Sequence, residues 1–466
     1  HLAEGDTLIK ARGAARRVQE MYDTITGDAA IPVDERIAAF AQGTRSLLTS
    51  AFLGRAAISA LTDIGFQRAT RKFNGLPVTT AMKGYLKLFR PYMSKDQRTA
   101  IRLGLIADEA SKMASAMSRY TGETYGPELM SRVADGVLRI SGLSPWTQAG
   151  RWAFGMEFLG ALADMSDRPF SKLPPALQET LTRYGIGSGE WSVIRNSPLY
   201  EERGATFLRP AEISDEALGD RVLEMVLTET DYAVPTPTLR ARSYMNVGTP
   251  GTLMGEIVRS ALLFKSFGIS LLMTHGRRMI EDQGYNRLRY TASLAITTTL
   301  LGALAIQLKD ISKGKDPRPM GDARFWGAAL LQGGGFGIFG DFLASTENRF
   351  GGGVAESVAG PVAGFVGDVA GLGWEATKDE PIYGRQLTRI ARRYTPGQSV
   401  WYAGLSFERA MIDQLGLLLD DDYDEIFDRM ENYADDTGQD YWWAPGEMTP
   451  DRVPDYANAV TGEMPD

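Results

Sequence analysis

The stretch YTASLAITTTLLGALAIQL, Tyr290 to Leu308, runs for nineteen residues without a charge. At 1.5 Å rise per residue a helix of this length is about 28 Å long, close to the hydrocarbon thickness of a bilayer. Arg287 and Arg289 flank it on one side and Lys309, Lys313 and Lys315 on the other. Tyr285 and Tyr290 suit an interfacial position. Its apolar content comes from Leu294, Ile296, Leu300, Leu301, Leu304 and Ile306, but Thr291, Ser293, Thr297, Thr298, Thr299 and Gln307 dilute it. Small residues and threonines suit close helix packing, inside a membrane assembly or in the core of a soluble helical protein. Both readings stay open at this point.

A second apolar segment follows. FWGAALLQGGGFGIFG, from Phe325 to Gly340, mixes glycine with Phe325, Trp326, Phe336, Ile338 and Phe339. A basic loop, KDISKGKDPRPMGDAR, separates the two. This order predicts a helical hairpin available for membrane contact or for packing into a tube. VAGPVAGFVGDVAGLG is interrupted by Pro361 and Asp368, so a span is not expected there.

Elsewhere helix signals dominate and strand alternation is almost absent, so the fold expected is all-α, an elongated multi-helix protein with a Gly/Ala-rich apolar hairpin region. Apolar residues recur at three and four from Asp34 to Phe73, through Ile37, Phe40, Leu47, Leu48, Phe52, Ile58 and Leu61. Gln97 to Tyr120 is a further helix candidate. SPWTQAGRWAFGMEFLGALADM predicts a buried helix capped by Ser144, with Trp152, Phe154, Met156, Phe158, Leu159 and Leu162 inside. DRPFSKLPP, GIGSGEW and NSPLYEERGATFLRP, over 167–210, read as less regular. ISDEALGDRVLEMVLTET opens a helix at Ser214. The divisions expected are a helical region over 1–234, a linker over 235–251, an apolar region over 252–375, and a C-terminal helical region with an acidic tail over 376–466.

Composition narrows the chemistry. The 466 residues are 44% hydrophobic and 23% charged, ordinary for a globular protein. A mean hydropathy of -0.19 argues against a polytopic transporter. The chain has no cysteine and two histidines, which excludes disulfides, thiolate zinc sites and cysteine nucleophiles. His275, in SLLMTHGRRMI, reads as a structural or interfacial histidine. There is no GxxxxGK[ST] phosphate loop and no GxSxG elbow. Asp420, Asp422, Asp424 and Glu431 fall at ligand positions of a calcium loop, but Glu425 stands where the turn needs glycine. An acidic helix start is the better reading. No catalytic residue, metal or cofactor is assigned.

The net charge of -8 is unevenly spread. Lys10, Arg12, Arg16, Arg17, Arg68, Arg71, Lys72, Lys83, Lys87 and Arg90 lie early, and DDDYDEIFDRMENYADDTGQD lies near the end. Such polarity suits head-to-tail contacts or a basic face near phosphate. Arg385, Arg389, Arg392 and Arg393 recur at helical spacing and are a candidate contact for DNA or a neighbouring subunit, against the plainer reading of a solvated face. The chain opens on His1 without a signal-peptide pattern, which leads to the expectation of a piece of a longer chain or a processed product.

Three phrases together carry a resemblance: LGRAAISALTDIGF, RSALLFKSFGISLL, and PGQSVWYAGLSFERAMIDQL followed by GQDYWWAPGEMTPDRVPD. In this order they resemble the C-terminal portion of large phage and prophage internal virion proteins, the DNA-ejection proteins. The resemblance implies a protein stored in the virion with portal or other ejection proteins. It later forms, with copies of itself, part of a conduit through the host envelope, periplasm and inner membrane included, and meets double-stranded DNA. A static structural virion protein of the portal or inner core is the alternative. An envelope-degrading enzyme is another, but the transglycosylase pattern found upstream in some such proteins does not occur here.

Overall fold

The computed structural model describes residues 2–78, 128–202, 204–245, 248–263, 266–281, 284–334, 361–375, 377 and 383–462. They are mainly helical, as the periodicity predicts. The exception is one antiparallel hairpin, β1 (Leu199–Glu202) paired with β2 (Ala205–Leu208), in register Leu199 to Leu208. Gly204, at φ 75°, stands in the connection. The candidate helix 97–120 lies outside the described residues, as do Phe336, Ile338 and Phe339.

A long helix α1 (Leu2–Thr26) leads into α2 (Glu35–Phe52), whose start is fixed by Asp34. The Asp34 carboxylate accepts from the amides of Arg36 and Ile37 at 2.8 and 3.1 Å, satisfying two orphan donors. Short turns over residues 53–62 then lead to α3 (Asp63–Phe73). The predicted run over 34–73 is therefore interrupted. Gly54 sits at the break, where an added Cβ would stand 2.4 Å from the backbone of Ser399. Within the predicted apolar set Leu48 is fully buried, while Phe40 is exposed.

After α4 (Glu128–Ile140) comes α5 (Leu143–Asp164), the centre of the largest core. Trp152, Phe154, Phe158, Leu159 and Leu162 are buried, as expected, while Met156 is only partly buried. Its start differs from the expectation. Gly142 takes a left-handed conformation at the cap, and Ser144 already lies inside the helix. The core closes with α6 (Pro175–Arg183), α7 (Ser188–Arg195), the hairpin and α8 (Glu216–Ala233). In α8 the cap also differs, lying one residue after Ser214 at Asp215, which accepts from the Leu218 amide.

The stretch 235–251 is not a solvated connector. Val234, Pro235 and Thr236 are buried, and α9 (Leu239–Met245) forms within it and packs on α1. It ends at a turn where Val33 N–H donates to the Pro250 carbonyl. Then follow α10 (Leu253–Ala261), α11 (Ser266–Leu271), a π-helical turn over Leu272–Gly276, and α12 (Arg277–Glu281). The opening stretch lies in α13 (Gly284–Ile311), and α14 (Ala323–Gln332) turns back on it. Downstream are α15 (Pro361–Glu375), α16 (Tyr383–Tyr394), α17 (Gly404–Phe407), a second π-turn over Glu408–Asp413, α18 (Gln414–Leu419), α19 (Asp424–Asp435) and α20 (Asn458–Thr461).

Buried contacts join the regions. Arg45 on α2 pairs with Glu256 on α10 at 2.7 Å, both nearly inaccessible. Gly65 on α3 lets Thr298 and Leu301 of α13 approach closely. The Gly54 amide donates to the Ser399 hydroxyl at 2.9 Å.

Candidate membrane-contacting hairpin

Helices α13 and α14 form the predicted hairpin, and glycine makes their approach possible. A Cβ on Gly302 would meet the Ala329 carbonyl oxygen at 2.1 Å, and one on Gly333 would meet that of Thr298 at 2.0 Å. Ala303, Ile306, Phe325 and Ala329 close the space between them. Lys309 donates to Gln332, and Trp326 Nε1 donates to the Met320 carbonyl at the turn.

The candidate residues divide by face. Leu294, Ile306 and Phe325 are buried, and Leu301 packs toward Gly65. Ile296, Leu300 and Leu304 face outward, 63%, 56% and 47% exposed. With Leu288 and Ala292 they form an exposed apolar stripe at intervals of four residues. Trp326 is partly exposed at the start of α14. Leu288–Ile311 is long and apolar enough to cross a membrane, with 39% of that window buried; the run Glu35–Phe73 meets the same measure with 56% buried. Tyr290 departs from the interfacial expectation, because it is buried against His275.

That contact belongs to a polar centre that the sequence did not mark. Glu229, fully buried, accepts from Arg278 at 2.7 and 2.9 Å, from Asn74 at 2.7 Å and from the Tyr184 hydroxyl at 3.2 Å. The Arg278 guanidinium lies between the rings of Phe73 and Tyr232, 3.9 and 3.6 Å from their centroids. Next to it, His275 Nε2 donates to the Tyr232 carbonyl at 2.8 Å. A carbonyl can only accept, so Nδ1 carries no proton and accepts from the Tyr290 hydroxyl at 2.6 Å. Burial, helped by the Arg278 charge, pushes the imidazole down to about 3, so it is neutral at ordinary pH. Burial first, then the Glu229 charge, raises the Tyr184 phenol. The groups bond one another from the ends of α3 and α6, from α8, the π-turn, α12 and α13, so the cluster is a structural joint. Sequence spacing gave no sign of it, since Asn74, Glu229 and Arg278 lie far apart in the chain.

Three of the four candidate arginines of α16 are held by carboxylates of their own chain, and the half-exposed Arg389 donates to Gln386 at 2.8 Å. Arg385 binds Asp420 at 2.7 Å, Arg393 binds Asp368 at 3.0 Å, and Arg389 stands 3.9 Å from Asp368. Arg392 reaches the buried Asp413, which also accepts from Arg409 at 2.9 Å. This helix face ties α15, α18 and α19 together.

The loop between α13 and α14 is fastened by the C-terminal segment. Trp442 N–H donates to the Gly314 carbonyl at 2.8 Å, Asp316 N–H to Asp440 at 2.8 Å, and Met320 N–H to Ala459 at 3.0 Å. Asp316 is fully buried and accepts from Arg452 at 2.9 and 2.6 Å and from the Asp455 amide at 2.8 Å. Lys315 lies over the Tyr433 and Tyr441 rings. The YWWAPGE tail is thus a strap over the hairpin turn.

Among the described residues no group of three or more His, Asp or Glu could hold a metal ion. The acidic run at 420–431 starts α19 at Asp424, as the helix reading expects. Compared with known families, curated proteins and solved structures, the chain matches no family, no curated protein and no solved structure.

Proposed function

We propose that this protein is a non-enzymatic internal virion protein of a phage, which assembles with copies of itself and places the α13–α14 hairpin against the host membrane during genome delivery. The observation that carries this reading is the exposed stripe Leu288, Ile296, Leu300 and Leu304 on α13, whose residues 290–308 carry no charge over about a bilayer length. An apolar row of this kind on a water-facing helix marks an interaction surface. The resemblance of the tail and the Trp-Tyr segment to ejection proteins supplies the biological setting. Contact with DNA through α16 would need its arginines to leave their carboxylates, so it has less support.

The test is co-sedimentation with anionic phospholipid vesicles, using the wild type and an Ile296→Asp/Leu300→Asp/Leu304→Asp variant. All three sites are exposed, so the variant is expected to keep the wild-type circular dichroism and lose vesicle binding. Equal binding by both proteins would remove the hairpin from the reading. No binding by the wild type would favour a static structural protein of the portal or inner core. The strap over residues 314–320 favours that second reading, because it holds the hairpin turn in the folded body.

A further inference from the structure

Over residues 11–26 helix α1 has no fully buried side chain, although α9 packs against it. Ala11, Ala14, Val18, Tyr22 and Ile25 recur at three and four and are all exposed, forming one apolar stripe. Arg12 lies on one flank and Arg17 on the other, both exposed, while Arg16 lies behind the row and pairs with Glu20 at 3.1 Å. A helix with its apolar row in water gains little from tertiary packing, which normally supplies most helical stability.

The same chain carries the complementary surface. On α19, Asp424, Asp428, Glu431 and Asp435 fall at intervals of four, three and four, all exposed. Like charges at this spacing repel. Partial burial, with the charges of Asp428, Asp440 and Asp435 adding to it, raises the Glu431 carboxyl. Apolar Met411, Leu415 and Leu418 stand exposed just before this helix. The α1 stripe from Ala11 to Ile25 is roughly 21 Å long and α19 roughly 18 Å, so the two match in reach.

We infer that α1 of one copy docks along the acidic stripe of α19 on a second copy, with its apolar row toward Met411, Leu415 and Leu418. The contact pairs arginine with carboxylate either once per copy, head-to-tail, repeating into a ring or filament, or twice about a two-fold axis. The inference rests on the self-assembly in the proposed function but not on its membrane contact.

Sedimentation velocity of the lipid-free full chain tests it. Two variants are needed: Arg12→Glu/Arg16→Glu/Arg17→Glu, and Asp428→Lys/Glu431→Lys/Asp435→Lys. Wild-type self-association is expected, weakening as salt rises, and each variant alone should associate at least about tenfold more weakly. An equimolar mixture of the two should associate again, since each then supplies the sign the other lacks. This recovery also shows that both variants are folded. A monomeric wild type, an association unmoved by either reversal, or a mixture that stays dissociated would overturn the contact. So would arginine reversals that abolish binding to anionic vesicles while leaving self-association intact, because α1 would then be a lipid-facing helix. Vesicle binding lost only in the Ile296/Leu300/Leu304 variant leaves this result standing, so the two ideas fail separately.

Discussion

His275 shows how a residue that looks available becomes fixed. Its two nitrogens are both used, one donating to the Tyr232 carbonyl and one accepting from Tyr290, and no water is needed to satisfy them. The energetic consequence has a sign. In the unfolded chain the imidazole takes its proton near 6.5, and in the folded chain only near 3. Between those values the unfolded state holds more protons, so acid favours unfolding. Stability should fall as pH drops from about 6.5 toward 3, with a slope from this one group approaching about 1.4 kcal/mol per pH unit. Denaturant melts at a series of pH values, for the wild type and His275→Gln, isolate that part from the carboxylates. A wild-type curve no steeper than the variant's would mean that His275 titrates near its ordinary value, and that the polar centre is wetter than described. The sequence allowed a structural histidine but could not reveal its partners. Glu229, Arg278 and Asn74 are ordinary surface residue types, and only the packing of distant helices makes them a buried set.

At the level of elements, the helices were legible from periodicity, and their ends less so. Ser144 and Ser214 had the right chemistry for caps, yet Gly142 and Asp215 hold those places, because a cap is chosen by local backbone geometry among several competent neighbours. The β1–β2 hairpin went unread because its strands are four residues each, too short for alternation to stand out. The α13–α14 hairpin was legible as two apolar segments about a basic loop. The division of its faces was not, since α13 carries apolar residues on every side. That division makes a clear contrast. Gly302→Val forces a side chain onto the Ala329 carbonyl, and overpacking of this kind costs about 1–3 kcal/mol. Leu304→Ser removes an exposed side chain and should stay within about 0.5 kcal/mol of the wild type. Urea unfolding of the two variants decides it. Similar stabilities for both would mean that α13 and α14 separate without loss, and that the close approach does not hold the hairpin.

Across the whole molecule, the strap is the feature that decides between a hairpin that binds while folded and one that must first be released. The sequence marks the C-terminal end only as an acidic tail, yet its backbone and aromatic rings close over residues 314–320. Arg452 is its central ion pair, and Asp316 beneath it is fully buried. Breaking a fully buried pair costs about 3–5 kcal/mol, and the partial exposure of Arg452 reduces that to about 1–3 kcal/mol. Because the strap meets the turn and not the α13–α14 contact, Arg452→Ala should loosen it locally. Hydrogen exchange should quicken in residues 314–320 and 438–460, while amides of residues 294–306 keep their protection. Unchanged exchange at the turn would show that the backbone bonds to Gly314 and Asp440 hold the strap unaided. If exchange quickens as expected, vesicle binding of the same variant becomes the informative measurement. Stronger binding than the wild type means that the strap restrains the hairpin before it meets a membrane. Unaltered binding means that the exposed stripe of Ile296, Leu300 and Leu304 acts from the folded body, with the turn still fastened.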